Sequence, residues 1–220
     1  MRSVVFDLDG TLADTSADLI AAANGCFRAL GHGDMLDPVA DKARAFAGGK
    51  AMLRLGFERL GAVDEAVIDR EFWNLIDHYA ADIDSHTILY PGAVAAVERL
   101  RTKGYGVAIC TNKPEALADQ LLESLGIRDL FAALIGADTL PTRKPDAAPF
   151  LAAVERIGGD PARAVMVGDT LTDRDTARAA GVPCLMVTFG PHGHDVSDFA
   201  PEGLLHDYAA LDAAVAALIG

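Results

Sequence analysis

The chain has 220 residues, of which 51% are apolar, and carries a formal net charge of -13. The length suits one domain with a modest insert, and the apolar fraction suffices for a full core. The charge argues against a nucleic-acid partner, which needs a basic face, but leaves open a small phosphorylated ligand held by a local field.

In chain order, Ser3–Phe6 reads as a buried strand, short and β-branched, and it runs into the polar segment Asp7-Leu8-Asp9-Gly10-Thr11. Three helical patterns follow with no convincing strand. The first carries Leu19, Ala23, Phe27 and Leu30; the second carries Met52, Phe57 and Leu60 after Gly48-Gly49; the third carries Ile68, Phe72, Leu75, Ile76 and Tyr79. Tyr90-Pro91-Gly92 marks the return to alternating structure. From there, helical faces (Val94, Val97, Leu100; Leu117, Leu121, Leu125; Phe150, Val154, Ile157) alternate with strand-like runs at 106–110, 133–135, 164–167 and 183–187. Gly104, Gly126 and Gly158 serve as helix stops, and an amphipathic helix over 211–219 closes the pattern. Alternating strand and helix predicts an α/β fold: a parallel sheet in a Rossmann-like core, with an inserted all-helical unit. The expected division is 1–14 and 87–220 for the core and 15–86 for the insert.

Ligands of open parallel sheets bind at the carboxyl ends of the strands. Four such ends here lead to polar groups: Asp7 and Asp9; Thr111, Asn112 and Lys113; Lys144, before Pro145; and Asp169 with Asp173 a helical turn later. Asp7, Asp9, Asp169 and Asp173 together would carry four negative charges. Two such charges ~4 Å apart cost about 4 kcal/mol at an effective dielectric near 20, so the cluster needs cations. Lys144 supplies one, and a hard divalent ion such as Mg²⁺ would supply two more. Asp7 and Asp9 start on the same face of the strand end. One can attack as a nucleophile while the other moves a proton. Thr111 and Asn112 can donate to phosphate oxygens, and Lys144 can neutralise both phosphate and nucleophile. Gly10 permits a tight turn that lets amides approach the phosphate.

Cys26, Cys110 and Cys184 are an odd number at wide spacing, with no disulfide framework or zinc pattern, which suits reduced thiols in the cytoplasm. Met1-Arg2 running straight into a strand is not a secretory leader, and no run approaches the ~20 apolar residues of a membrane span. Asp14 could cap the first helix of the insert or join the site. Gly48-Gly49-Lys50, with Arg44 nearby, could close over a substrate, and His192 with His194 reads as a surface turn.

The four segments, Asp7-Leu8-Asp9-Gly10-Thr11-Leu12-Ala13-Asp14, Thr111-Asn112-Lys113, Lys144-Pro145 and Gly168-Asp169-Thr170 with Asp173, resemble the four motifs of the haloacid dehalogenase superfamily, in order. The likeness runs from Asp7 to about Gly190. It implies a Rossmann-like core with a helical cap, Asp7 as a nucleophile forming an aspartyl-phosphate, and Asp9 as general acid and base. It also implies Mg²⁺ held by Asp7, the Asp9 carbonyl and Asp169, with Asp173 in support. Members that cleave carbon–halogen bonds lack the second aspartate, so Asp9 favours phosphoryl transfer. Asp14-Thr15-Ser16-Ala17-Asp18-Leu19 and Gly136-Ala137-Asp138-Thr139-Leu140-Pro141 are further similar to phosphoglycolate phosphatases. The resemblance thus implies a phosphatase for a small phosphorylated metabolite; the sequence leaves monomer and homodimer both open. A sugar-phosphate mutase, a non-catalytic binding protein on the same fold and a dehalogenase are the rivals.

Overall fold

A computed structural model describes residues 1–220. β1 (Ser3–Phe6) and the two-residue β2 (Ala13–Asp14) precede four helices, α1 (Ser16–Ala29), α2 (Lys42–Ala45), α3 (Gly49–Arg59) and α4 (Glu65–Ala81). After β3 (Ile88–Leu89), helices and strands alternate: α5 (Ala93–Thr102), β4 (Gly106–Cys110), α6 (Glu115–Ser124), β5 (Ala133–Ile135), α7 (Ala147–Arg156), β6 (Ala164–Gly168), α8 (Leu171–Ala180) and β7 (Cys184–Val187). β8 (Gly203–Leu205) and α9 (Leu211–Ile219) end the fold. The chain forms two compact units, Met1–Ala13 with Leu89–Gly220 and Asp14–Ile88. These limits lie one and two residues from the expected ones.

In the first unit six parallel strands run in the order β5-β4-β1-β6-β7-β8. Residues of β1, β4, β6 and β7 are buried along their whole length, which is why these strands read as continuous apolar runs rather than alternating ones. Phe150, Ala153 and Val154 of α7 complete one core with Val5, Ala108, Met166 and Met186 of the sheet. The last expected strand begins at Cys184 rather than Pro183; Pro183 has no N–H to donate, and its carbonyl accepts from Met166 at 3.1 Å. β8 falls outside the expected strands: it opens on Gly203 and only Leu205 is fully buried, whereas the equally short β5 is buried throughout. All three cysteines are buried thiols.

In the helical unit, α1 packs against α4 and α3. Its buried stripe is Ile20, Ala23 and Phe27, so the expected face through Leu19 and Leu30 is rotated: Leu19 is half-buried and Leu30 exposed. Phe27 meets Phe57 edge to face at 5.1 Å, and a Cβ on Gly56 would stand 2.2 Å from the Phe27 ring. Polar side chains hold the connections. Asn24 donates to the Leu36 carbonyl at 2.8 Å and accepts from the amides of Met35 and Leu36. Asp41 takes a two-pronged pair from Arg59 at 2.6 and 2.7 Å. No helix is long and apolar enough to cross a membrane.

Candidate active site

β1 lies between β4 and β6, and its register pairs Phe6 with Ile109 on one side and Val167 on the other. The residues that follow these pairs therefore emerge side by side at the carboxyl edge. These are Asp7 and Asp9 after β1, Thr111 to Lys113 after β4, and Asp169 after β6. The Asp7 amide still donates to the Val167 carbonyl at 2.9 Å, so the sheet fixes its backbone. Strand order reverses here, since the chain reaches β4 and β5 on one side of β1 and β6 to β8 on the other. The turn after β1 is tight: the Leu8 carbonyl accepts from the amides of Thr11, Leu12 and Ala13. Gly10 has a φ of +79°, and a Cβ there would fall 2.4 Å from Asp169 Oδ2, so only glycine lets the turn pass that carboxylate.

Lys144 is the central cation. Its Nζ lies 3.0 Å from Asp7 Oδ2 and 2.6 Å from Asp173 Oδ1 and is almost fully buried. The second oxygen of Asp173 caps α8, accepting from the Thr170 amide and hydroxyl and from the Asp169 amide at 2.7–3.2 Å. Both Asp173 oxygens are thus engaged. Asp7 Oδ1 accepts from the Leu8 amide at 2.7 Å. Asp169 Oδ1 accepts from the Thr11 hydroxyl at 2.7 Å, but its buried Oδ2 has no hydrogen-bond partner. Thr111 is buried, and its Oγ1 accepts from the Lys113 amide, which leaves the hydroxyl proton free to donate. Asn112 is exposed and donates from Nδ2 to the Lys144 carbonyl at 3.1 Å. All seven residues singled out from the sequence, Asp7, Asp9, Thr111, Asn112, Lys144, Asp169 and Asp173, lie at or beside this edge.

One group is additional. Lys113 reaches Asp9 with Nζ at 2.9 and 3.1 Å from the two carboxylate oxygens, and both side chains are mostly buried. Two lysines then face four carboxylates. With all four carboxyls ionised the residual charge would be minus two, which a single dication would balance. A lysine beside Thr111 and Asn112 in the same motif was the available signal, but the sequence does not say which way it points.

The electrostatics follow from burial first, with the crowding of carboxylates adding to it. Burial pushes the Asp7 carboxyl up to about 7 against the pull of Lys144, with Asp173 and Asp9 adding to the rise. Burial, then Asp173 and Asp7, holds Asp169 well above the usual carboxylate range, with Thr11 opposing. Burial works against the Lys144 charge, yet Asp173 and Asp7 hold its ammonium above the usual lysine range. An acidic cluster alone does not specify a metal. Here, however, ligand atoms of Asp7, Asp169 and Asp173 lie within 4.8 Å of one another, and a buried carboxylate oxygen stands unpartnered among them. Oxygen donors with residual negative charge fit a hard divalent cation.

The remaining expectations separate. Asp14 bonds within the helical unit, to the Ser16 amide and hydroxyl and to Lys42 Nζ at 2.5 Å. Burial opposes its charge, but Lys42 and Ser16 hold its carboxyl below the usual range. Gly48 is the N-cap of α3, and Lys50 pairs with Asp69 at 2.5 Å. His192 lies edge-on to Phe199 and His194 faces His206 at 5.6 Å; all three histidines are exposed, His192 in a turn and His194 in the short 3-10 helix Gly193–Phe199 that follows it.

A family model described as haloacid dehalogenase-like hydrolase matches residues 1–181. Among curated relatives, a phosphoglycolate phosphatase of Agrobacterium fabrum strain C58 is 39% identical over 96% of this chain and 91% of its own. One of Mesorhizobium japonicum is 39% identical over 94% and 92%. Among solved structures, a protein described as a predicted phosphoglycolate phosphatase from Haemophilus somnus 129PT superposes with a TM-score of 0.85, covering 97% of both chains at 24% identity. That last likeness speaks to the fold.

Proposed function

The chain belongs to the haloacid dehalogenase-like hydrolases, and from that premise we propose that it hydrolyses a small phosphomonoester, 2-phosphoglycolate first, with Asp7 as nucleophile. As a member of this family it is a hydrolase of phosphoric monoesters with a divalent metal requirement; the substrate, the ion and the residue roles are our reading. The observation that carries it is the buried, unpartnered Oδ2 of Asp169 beside Asp7 and the Lys144 ammonium. Asp7, the Asp9 carbonyl and Asp169 would hold Mg²⁺, with Asp173 holding Lys144 and the start of α8. Bound there, the ion would neutralise phosphate oxygens and the nucleophile's neighbours.

The protein's own groups supply the rest. Asp7 attacks phosphorus and the ester oxygen leaves, taking a proton from Asp9. Asp9 then removes a proton from the water that attacks the aspartyl-phosphate, which releases inorganic phosphate and restores both carboxyl groups. Thr111 and Asn112 donate to the phosphoryl oxygens, and Lys144 offsets charge as it builds on them. Lys113 sets the orientation of Asp9 through its two-pronged contact. The helical unit would close during phosphoryl transfer and open for hydrolysis, excluding bulk water in between. We place the reaction in the cytoplasm.

A panel of phosphate esters with Mg²⁺ tests this reading. Phosphate release is expected, fastest from 2-phosphoglycolate, and lost on chelation and in Asp7→Asn. Isomer formation without phosphate release would make the protein a mutase. Silence across the panel would leave a binding protein on the same fold.

A further inference from the structure

We propose that Tyr208 is a positioning residue for the metal-binding carboxylate Asp169, acting through Thr11; this rests on the reading above that Asp169 holds a divalent ion. Tyr208 lies beyond residues 1–181, where the family model matches, and outside all four motifs. Its ring is 1% exposed, and its hydroxyl donates to the Thr11 carbonyl at 2.7 Å across 197 positions of sequence. The same Thr11 donates its own hydroxyl to Asp169 Oδ1 at 2.7 Å. Tyr208 thus holds the backbone of the one residue that fixes the carboxylate, and it does so from outside the turn.

Tyr208 is itself well anchored. Its ring lies against Phe189 at 5.1 Å, and Phe189 lies against Tyr90 at 5.1 Å. The Tyr90 amide donates to the Leu12 carbonyl at 3.0 Å, so the two ends of this aromatic stack grip successive carbonyls, Thr11 and Leu12. Arg99 secures the Tyr208 backbone, donating from Nη2 to its carbonyl at 3.0 Å. Burial, with the negative charge of Asp169 adding to it, keeps the phenol protonated and hence a donor.

The two Asp169 oxygens have different partners. Oδ1 is held by Thr11 and Oδ2 is unpartnered. Their difference depends on the Thr11 hydroxyl staying in line. Removing the Tyr208 hydroxyl leaves the buried Thr11 carbonyl without this donor. The turn then relaxes, and Asp169 is free to rotate. Groups that orient a metal ligand directly change affinity by 10–100-fold. Tyr208 acts one residue further out, so a loss of about 3–10-fold is expected.

A purely space-filling tyrosine would affect stability alone, and a double-mutant cycle separates the two roles. Mn²⁺ binding is measured by titration calorimetry on the full chain, well below its unfolding temperature, for the parent, Tyr208→Phe, Thr11→Val and the double variant. Tyr208→Phe keeps the ring and is expected to weaken Mn²⁺ about 3–10-fold at unchanged stoichiometry. In the Thr11→Val background the same change is expected to alter affinity less than about 2-fold, because the route is already cut. Parent-like Mn²⁺ affinity in Tyr208→Phe, or independent effects that multiply, would overturn the proposal. Should Thr11→Val not fold, Tyr208→Phe alone decides, since full stoichiometry certifies the folded fraction. If the parent binds no Mn²⁺, or Asp169→Asn binds it as well as the parent, the metal reading itself falls and takes this inference with it. A failure confined to Tyr208→Phe leaves that reading standing.

Discussion

Asp41 in the helical unit and Asp169 in the sheet unit are both buried aspartates, 8% and 0% exposed, yet their surroundings act in opposite directions. Asp41 meets both prongs of Arg59 and the Asp37 amide, and the Arg59 bonds hold its carboxyl below the usual range against the effect of burial. Asp169 has one hydroxyl, one unpartnered oxygen and two acidic neighbours, and burial holds its carboxyl well above that range. Asp18 in the helical unit is likewise satisfied by hydrogen bonds, accepting from the His86 amide and the Thr87 hydroxyl. Asp7 repeats the pattern of Asp169, with its carboxyl pushed to about 7. Where a carboxylate is satisfied by the fold, it serves the fold. Where the fold leaves it short of positive charge, something else must complete it, and the fold gives up stability at that place.

The largest expected effect tests this directly. Asp7→Asn should lower phosphate release by at least about 10³-fold. The metal-free variant should nonetheless be as stable as the parent or more so, measured by urea unfolding in chelator. A marked loss of stability would place Asp7 with Asp41 instead.

Next comes ion binding. Saturating Mg²⁺ should raise parent stability, by about 2.7 kcal/mol at a hundred times its dissociation constant, and leave Asp169→Asn unmoved. Thermal unfolding with and without the ion gives the comparison.

Lys113→Met should reduce kcat by about 10–100-fold with a smaller change in KM, since it loosens a proton-moving group rather than the nucleophile. A raised KM with kcat unchanged would instead assign Lys113 to ground-state binding.

The smallest effect belongs to the helical unit. Asp41→Asn should cost about 1–2 kcal/mol at pH 7, discounted because Arg59 is partly exposed, with kcat unchanged per folded molecule. The pH dependence carries opposite signs in the two units. Asp41's folded-state pKa is depressed, so its contribution is present above about pH 4 and fades as pH falls through the lower folded value. Asp7's is raised to about 7, so the metal-free parent loses stability as pH climbs from about 4 through 7. Urea midpoints against pH for parent, Asp7→Asn and Asp41→Asn should show each slope vanish with its own residue.

Much of the sheet was readable because its inner strands are buried on both faces. Ser3–Phe6, Gly106–Cys110 and Ala164–Gly168 stand out as buried runs, each followed by polar residues. The first helix misled because Asp18 and Asn24 are buried polar residues on the inward face, so counting apolar positions selected Leu19 and Leu30 instead of Ile20. The four-residue α2 is too short to carry a period, and β8 opens on a glycine and is only partly buried, so it shows no apolar run. At the site, strand ends followed by carboxylates pointed to the right edge of the sheet. Partner choice was not readable. Nothing in Thr111-Asn112-Lys113 says that the lysine, rather than the asparagine, reaches Asp9. The Tyr208 contact with Thr11 joins the two ends of the chain and has no local signature at all.

Calorimetric titration of the metal-free parent with Mg²⁺, repeated in buffers of different ionisation enthalpy, tests most directly whether the carboxylate cluster is short of one dication. One ion per chain should bind near pH 7 with net proton release, as carboxyls held protonated by burial give up their protons to it. Asp169→Asn should show neither the heat nor the protons. An absence of binding in the parent, or the same isotherm in the variant, would contradict the account.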